Sequence, residues 1–365
     1  MSLILFYNWP DHANPSYLPV ADQQAFTSDA GCFDQADAVV FHLPTLGRIE
    51  SLRKPAGQLW VLWSMESVVN YPAMSDPSVL KVFDLVMTYQ RAADVWTPYI
   101  PDHTTWENAV RRPVPRKTAT APAVMFQSSP FNRSGRIGYA AELMKAIRVD
   151  SYGHVLNTIK LPVADRGHVT KLATIGRYKF CLSFENSICD DYVTEKFFDP
   201  LLAGTVPVYL GARNVDAFAP ADDCYIDVRD FAGPRQLADY LTFLDQNDAA
   251  YQRLHAWRGA PLRPSLAADL ARRGSPFEML LQAVVARRSR PATASDAPTM
   301  LSYDPARYGT LDPSRTSVAF YIYDRPAGSG RTGLSRLRAL PRRVLRATRR
   351  WFGAPGKADP PRRKS

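Results

Sequence analysis

Cysteine is scarce in this chain of 365 residues. Only Cys32, Cys181, Cys189 and Cys224 occur, and no two fall in a C-x-x-C pair. That spacing speaks against a zinc site and against a secreted disulfide framework, and it points to a reducing compartment. The six histidines (His12, His42, His103, His154, His168 and His255) show no ligand spacing and read as structural. Long apolar runs are missing as well: none approaches the roughly eighteen residues that span a bilayer. The opening MSLILFYNWP has no basic flank and only a short apolar stretch, so neither a secretory signal peptide nor a membrane-spanning anchor is expected. Order, by contrast, is not lacking. With 46% hydrophobic and 22% charged residues the chain reads as folded, and its length suggests two domains of about 150 residues each.

The net charge of +10 is not spread along the chain. Residues 331–365 contain ten arginines with Lys357 and Lys364 against Asp359, a charge of +11, so residues 1–330 carry about −1. A nearly neutral body disfavours a groove for nucleic acid. After Pro341 the segment RRVLRATRRWFG sets Val344, Leu345, Thr348, Trp351 and Phe352 on one helical face and arginines on the other. Such a basic amphipathic helix is expected to lie on an anionic membrane surface; a solvated tail, or a helix packed back on the body, is the alternative.

Short apolar runs alternate with helix-length spacers: LILFYNW, DAVVFHL, GQLWVLWSME and FDLVMTY, then AVMFQSS, VDSYG, KFCLSFE, VPVYLG and YIDVRDF. This rhythm predicts parallel, layered α/β structure. The proline-rich RRPVPRKTATAP at 111–122 reads as a connection between two such domains, 1–115 and 123–286. An irregular return segment at 287–330 and the basic tail at 331–365 complete the expected organisation. Ligands are expected in the cleft between the domains, at the carboxyl ends of the strands.

The densest polar stretch is KFCLSFENSICDDYVTEKFFDPLLAGTVPVYLG. A strand ends at Phe184, and Glu185, Asn186, Asp190, Asp191, Tyr192, Glu195 and Lys196 crowd the following loop and first helical turn. Backbone donors and the helix dipole favour anions there, so Lys196, with Thr194 and Asn186, could hold a phosphate and a sugar hydroxyl. A helix that merely caps its own N-terminus with Thr194 and Glu195 is the alternative.

The run FENSICDDYVTEKFFDPLLAGTVPVYLGA resembles the donor-binding signature of the α-1,3-fucosyltransferases. Upstream, and in the same order, LWSMESVVNYP, FDLVMTYQRAADVWTPY and RIGYAAELMKAIRVDSYG are similar to further motifs of that family. The likeness covers residues 58–231, with departures at Val68, where the family has proline, and at Gln90 and Ala92, where it has arginine and aspartate. It implies a GT-B architecture: two Rossmann-like domains with acceptor on the first and GDP-fucose on the second. Carried over by motif, Glu66 matches the catalytic base, Arg136 and Lys196 the diphosphate cations, and Asn186, Tyr192 and Glu195 the donor contacts. Ser67 and Asn70 fall on the acceptor side, and Arg133 rivals Arg136 for the phosphate.

The chemistry is consistent with that carry-over, since an inverting displacement needs one carboxylate to take the acceptor proton and cations to meet the leaving diphosphate. Elsewhere Glu66, at the end of LWVLWSM, would be an ordinary exposed carboxylate, because an unpaired buried one is costly. The sequence has no Asp-x-Asp pair, so no metal site and no cofactor beyond GDP-fucose as co-substrate are expected. The expected activity is transfer of L-fucose to a hydroxyl, O3 of N-acetylglucosamine or glucose, in an oligosaccharide of a surface glycan. The expected location is the cytoplasmic face of the membrane, held peripherally by the tail. A transferase using another GDP-sugar and a non-catalytic, membrane-tethered binding scaffold are the competing readings.

Overall fold

The computed structural model describes residues 2–9, 25–161, 163–289 and 299–308. Two parallel sheets organise them. The first is built from β1 (Ile4–Asn8), β2 (Phe26–Thr27), β3 (Ala38–His42), β5 (Leu59–Ser64), β6 (Leu85–Thr88) and β7 (Val95–Trp96), in the order β2-β1-β3-β5-β6-β7. All its pairings are parallel. Every residue of β3 and β5 is buried, which explains why they are apolar up to their last residues, His42 and Ser64: a parallel sheet is covered on both faces and has no polar side to alternate toward.

The second sheet comprises β8 (Ala123–Phe126), β9 (Val149–Tyr152), β10 (Phe180–Phe184), β11 (Val206–Leu210) and β12 (Ile226–Asp227), in the order β12-β11-β10-β8-β9. Its pairings are parallel too. The strand order reverses between β8 and β10, so the loops leaving these two strands diverge and open a crevice at their carboxyl ends. Helices α3 (Arg136–Met144), α4 (His168–Ile175), α5 (Glu195–Ala203), α6 (Pro234–Gln246) and α7 (Asp248–Arg253) belong to this unit.

Four further α-helices lie among the described residues: α1 (Pro77–Leu80), α2 (His103–Arg111), α8 (Pro264–Arg272) and α9 (Pro276–Arg288). Here the structure departs from the expected boundaries at 115 and 286. Helix α2 joins the second core, where Trp106 packs with Phe197 and Trp257. Helix α9 returns to the first, where Leu280 and Val284 pack against Phe6, Val61 and Trp63. The reason is coverage. Before residue 100 the described residues supply only the four-residue α1 and short 3-10 turns, too little to cover both faces of six strands, and α9 fills the vacancy.

A second departure lies in the span read as irregular. Residues Met300–Tyr303 form strand β13, antiparallel to β4 (Ile49–Arg53), and a 3-10 turn follows at Pro305–Tyr308. Leu301 and Tyr303 reach the first core. The expected basic helix of 331–365 lies outside the described residues. Among those described, no helix is long and apolar enough to cross a membrane, and the four cysteines are free.

Candidate active site

The loop leaving β10 meets the loops leaving β5 and β6 across the cleft. Glu66 lies two residues beyond β5, its N–H donating to Ser64 Oγ at 3.0 Å. Across from it, the Tyr192 hydroxyl donates to Glu66 Oε2 at 3.4 Å. The Tyr192 ring is wedged edge-on between Tyr89 and Tyr99, with centroids 5.1 and 6.2 Å away. Tyr99 is anchored in turn by its hydroxyl on the Met65 carbonyl at 2.6 Å. Beside this contact, Asn70 Nδ2 donates to Asn186 Oδ1 at 2.8 Å. Glu66, Asn70, Asn186 and Tyr192, four of the expected residues, therefore converge from two sheets.

Burial raises the Glu66 pKa above the ordinary carboxylate value, and Glu195 adds to the rise, while Lys196 and the Tyr192 hydrogen bond pull the other way. A carboxylate held in this state is a better proton acceptor than one in water.

Lys196 is the second residue of α5, whose N-cap Thr194 accepts the Lys196 N–H with its side-chain oxygen. Its ammonium lies 3.0 Å from Thr194 Oγ1, 3.1 Å from Glu195 Oε1 and 3.4 Å from Glu185 Oε2. Burial alone would disfavour this charge, yet Glu185 and Glu195 hold the Lys196 pKa above its usual value. Burial also opposes ionisation of Glu195, but Lys196 and Lys171 bring its pKa below the usual value. Glu195 is half-exposed, so an incoming diphosphate can replace its carboxylate on Lys196 at the helix N-terminus.

Glu185, named from the sequence only as one of the acids of this loop and given no role there, organises this corner. Fully buried, it accepts the Thr194 N–H at 2.8 Å and the Thr194 hydroxyl at 2.9 Å, fixing the start of α5 and the place of Lys196. Burial raises its pKa. A Cβ at Gly211 would sit 2.6 Å from Glu185 Cγ, so glycine is needed there for close approach. In the sequence Glu185 is one of several acids after an apolar strand, and nothing local distinguishes the buried one.

Asp191 is a second residue of that loop to which the sequence gave no role. Its φ of +65° is unusual for a residue with a side chain. It is held by reciprocal bonds with Asn214, 2.9 Å to its N–H and 2.8 Å to its Oδ1. The Arg91 N–H, from the first unit, donates to Asp191 Oδ2 at 2.9 Å. This grip delivers Tyr192, the next residue, to Glu66. The Arg91 guanidinium crosses to the second unit, paired with both oxygens of Asp269 and stacked 4.4 Å over Phe218.

Two expected residues are placed differently from a direct ligand contact. Arg136 is 1% exposed, and its guanidinium donates to the carbonyls of Phe131, Phe184 and Ser129 at 3.0, 3.0 and 2.9 Å. A buried guanidinium must satisfy its donors, and here it bolts together the two loops that diverge at the switch point. Burial lowers its pKa against the pull of Glu185, Tyr192 and Glu195, so its charge acts on the site through the field. Its rival Arg133 is exposed. Ser67 is fully buried; its Oγ accepts the Val69 N–H at 3.1 Å, and its side chain also hydrogen-bonds Tyr89 and, across the cleft, Cys189, so it is taken up by protein partners. Among the described residues no group of three or more His, Cys, Asp or Glu is placed to hold a metal ion.

Comparison with known proteins agrees with this geometry. A family model for the C-terminal part of glycosyltransferase family 10 (fucosyltransferase) matches residues 114–273, and one for the fucosyltransferase N-terminal part matches residues 1–100. The chain is similar to a 4-galactosyl-N-acetylglucosaminide 3-alpha-L-fucosyltransferase of Hylobates lar, 34% identical over 281 residues, 72% of this chain and 71% of that protein. It is likewise similar to alpha-(1,3)-fucosyltransferase 7 of Homo sapiens, 34% identical over 269 residues, 70% of this chain and 74% of that protein. A GDP-fucose protein O-fucosyltransferase 3 of Canis lupus familiaris is 35% identical over 225 residues, 58% of this chain and 47% of that protein. Among solved structures, an alpha1,3-fucosyltransferase crystallised with GDP superposes with a TM-score of 0.54 at 18% identity, covering 81% of this chain and 92% of that one. That likeness is one of fold, the GT-B arrangement of two facing α/β units.

Proposed function

The chain belongs to glycosyltransferase family 10, the fucosyltransferases, and from that premise we propose that it transfers L-fucose from GDP-fucose, with inversion, to O3 of an N-acetylglucosamine or glucose unit in a surface glycan. The observation that carries the mechanism is the meeting of Glu66, on one sheet, with Tyr192 and the Lys196 corner, on the other. The acceptor oxygen attacks the anomeric carbon of fucose from the face opposite GDP, and its proton passes to Glu66. The bond from that carbon to the β-phosphate oxygen breaks, its electron pair leaves with GDP, and Lys196 and the N-terminus of α5 meet the charge. Tyr192 orients the Glu66 carboxylate, and Glu185 with Thr194 orients Lys196.

Because these groups supply positive charge from the protein itself, turnover proceeds without a divalent cation in this reading. The names of the similar 3-alpha-L-fucosyltransferases support O3 as the acceptor position. The tail at 331–365, outside the described residues, holds the enzyme peripherally on an anionic membrane surface at its cytoplasmic face, supported by its one-signed charge and apolar stripe.

The test is calorimetric binding of GDP, GDP-fucose and GDP-mannose in EDTA, with fucosyl transfer to galactose-β-1,4-N-acetylglucosamine followed alongside. Binding of GDP and GDP-fucose with transfer to O3 is the expected result. Preference for GDP-mannose would overturn the choice of sugar, and activity restored only by added metal would overturn the metal-free step.

A further inference from the structure

Helices α4 and α5 pack against each other on the second unit, and a buried carboxylate joins them. Asp199 of α5, whose side chain is 4% exposed, has the Lys171 ammonium 2.7 Å from its Oδ2 and the His168 ring 2.9 Å from its Oδ1, both from α4. A carboxylate taken out of water has to be met by charge or hydrogen bonds, so Asp199 holds Lys171 in place. Asp199 also lies four residues after Glu195. On a helix that spacing puts two side chains on one face, about 5–6 Å apart at Cβ, and Lys171 therefore stands one turn along α5 from the carboxylate of the donor corner.

The cations of that corner have different duties. Arg136 gives its guanidinium donors to three backbone carbonyls. Lys196, 3.1 Å from Glu195 Oε1, turns to the diphosphate when the donor enters, and Glu195 then loses that partner while acids remain around it. Glu185 shares the Lys196 ammonium, and Glu66 faces Glu195 from the first unit. Tyr99 and Tyr192 are neutral neighbours, their hydroxyls held well above the ordinary phenol range by burial and then by Glu66, with Glu195 adding to both. Lys171 is the charge that stays, since beside Lys196 it is the lysine that favours ionised Glu195.

We propose that Lys171, fixed on Asp199, is a positioning residue for Glu195: it keeps that carboxylate ionised beside the fucosyl group after Lys196 has moved to the diphosphate. The requirement comes from the reaction. As the bond to the β-phosphate oxygen breaks, positive charge builds on the anomeric carbon and ring oxygen of the sugar, as in glycoside hydrolysis. A carboxylate anion beside the ring stabilises that charge where a neutral carboxyl does not. Lys171 is preorganised for this, because its pair with Asp199 is formed before the donor arrives.

The inference rests on the fucosyl-transfer reading, and its test separates the two. The chain has seven glutamates, so labelling glutamate with 13C at Cδ resolves the carboxyls by NMR, and Glu195→Gln identifies the Glu195 signal. With GDP bound, Lys171→Gln, which keeps a hydrogen bond to Asp199 without the charge, should move the Glu195 titration midpoint upward by about one pH unit. Asp199→Asn, which leaves Lys171 unneutralised, should move it downward, so each variant tests the proposal alone. A merely structural bridge breaks alike from either side, whereas a field on Glu195 gives these opposite signs. Lys171→Arg should keep the parent midpoint. In fucosyl transfer the ratio of parent to Lys171→Gln kcat should rise as pH falls, toward about tenfold, with the Glu66 titration dividing out of the ratio and GDP affinity at the parent value. Midpoints that stay in place, or that move the same way in Lys171→Gln and Asp199→Asn, would overturn the proposal. So would loss of GDP affinity by about tenfold in Lys171→Gln, which would make Lys171 a phosphate ligand. A parent enzyme that neither binds GDP-fucose nor transfers fucose would instead overturn the functional reading, and this inference with it.

Discussion

Replacing Glu66 by glutamine removes the proposed base while keeping the shape of the site, because the amide oxygen still accepts the Tyr192 hydroxyl that now reaches Oε2 at 3.4 Å. A positioned general base supplies about 10² to 10⁴ in rate, about 2.7 to 5.4 kcal/mol of barrier at 1.36 kcal/mol per decade. We therefore expect kcat for fucosyl transfer to fall at least about a hundredfold, with GDP affinity by calorimetry unchanged. The parent kcat/KM should fall as the pH drops through the raised pKa of Glu66, since only the carboxylate accepts a proton, and Glu66→Gln should lose that limb. The same shift has a stability consequence. A carboxyl whose pKa is raised on folding binds more protons folded than unfolded, so its contribution is fully present below the unfolded value near 4.5 and is lost as pH rises through the folded value. Glu66→Gln should thus melt higher than the parent at pH 7 and lose that advantage at pH 4. A variant that keeps turnover within threefold of the parent refutes the assignment of Glu66.

Lys196→Ala should weaken GDP binding about 10- to 100-fold, the 1.5–3 kcal/mol scale of hydrogen bonds to charged groups, and calorimetry giving parent affinity would remove Lys196 from the phosphate site. Arg91→Ala leaves Asp269, whose side chain is 4% exposed, with Arg272 at 3.4 Å as its remaining ion-pair partner among the described residues. We expect a loss of about 2 kcal/mol in urea unfolding, below the usual cost of breaking a buried pair because Arg91 is itself 30% exposed. An unchanged midpoint would show that the link between the units carries no stability. Deleting residues 331–365 should abolish sedimentation with phosphatidylserine vesicles while leaving transfer to a soluble acceptor intact; continued sedimentation would disprove anchoring by the tail.

How much of this was legible in the sequence differs by level. The parallel α/β layers were, because buried strands such as AVVFH and LWVLWS announce themselves as near-continuous apolar runs. Glu66, Asn186, Tyr192 and Lys196 were legible through motif order, and the structure brings them to one cleft. Arg136 was legible as a residue of the site but not in its manner of acting. Whether a guanidinium faces a ligand or three carbonyls depends on which loops surround it, and those loops are 48 residues apart at Phe184 and adjacent at Ser129 and Phe131.

The local pattern of the chain by itself determined the strands of its two parallel sheets, its family and the residue types that could carry a proton and a phosphate. Tertiary structure alone decided that α2 and α9 cover each other's expected domains, that Glu185 and not its acidic neighbours is the buried partner of Thr194, and that Lys171 of α4 stands on Asp199 of α5. The physical reason is the same in each case. Periodicity and motif are properties of neighbours in sequence, whereas burial and pairing follow from which surface remains uncovered when distant segments meet.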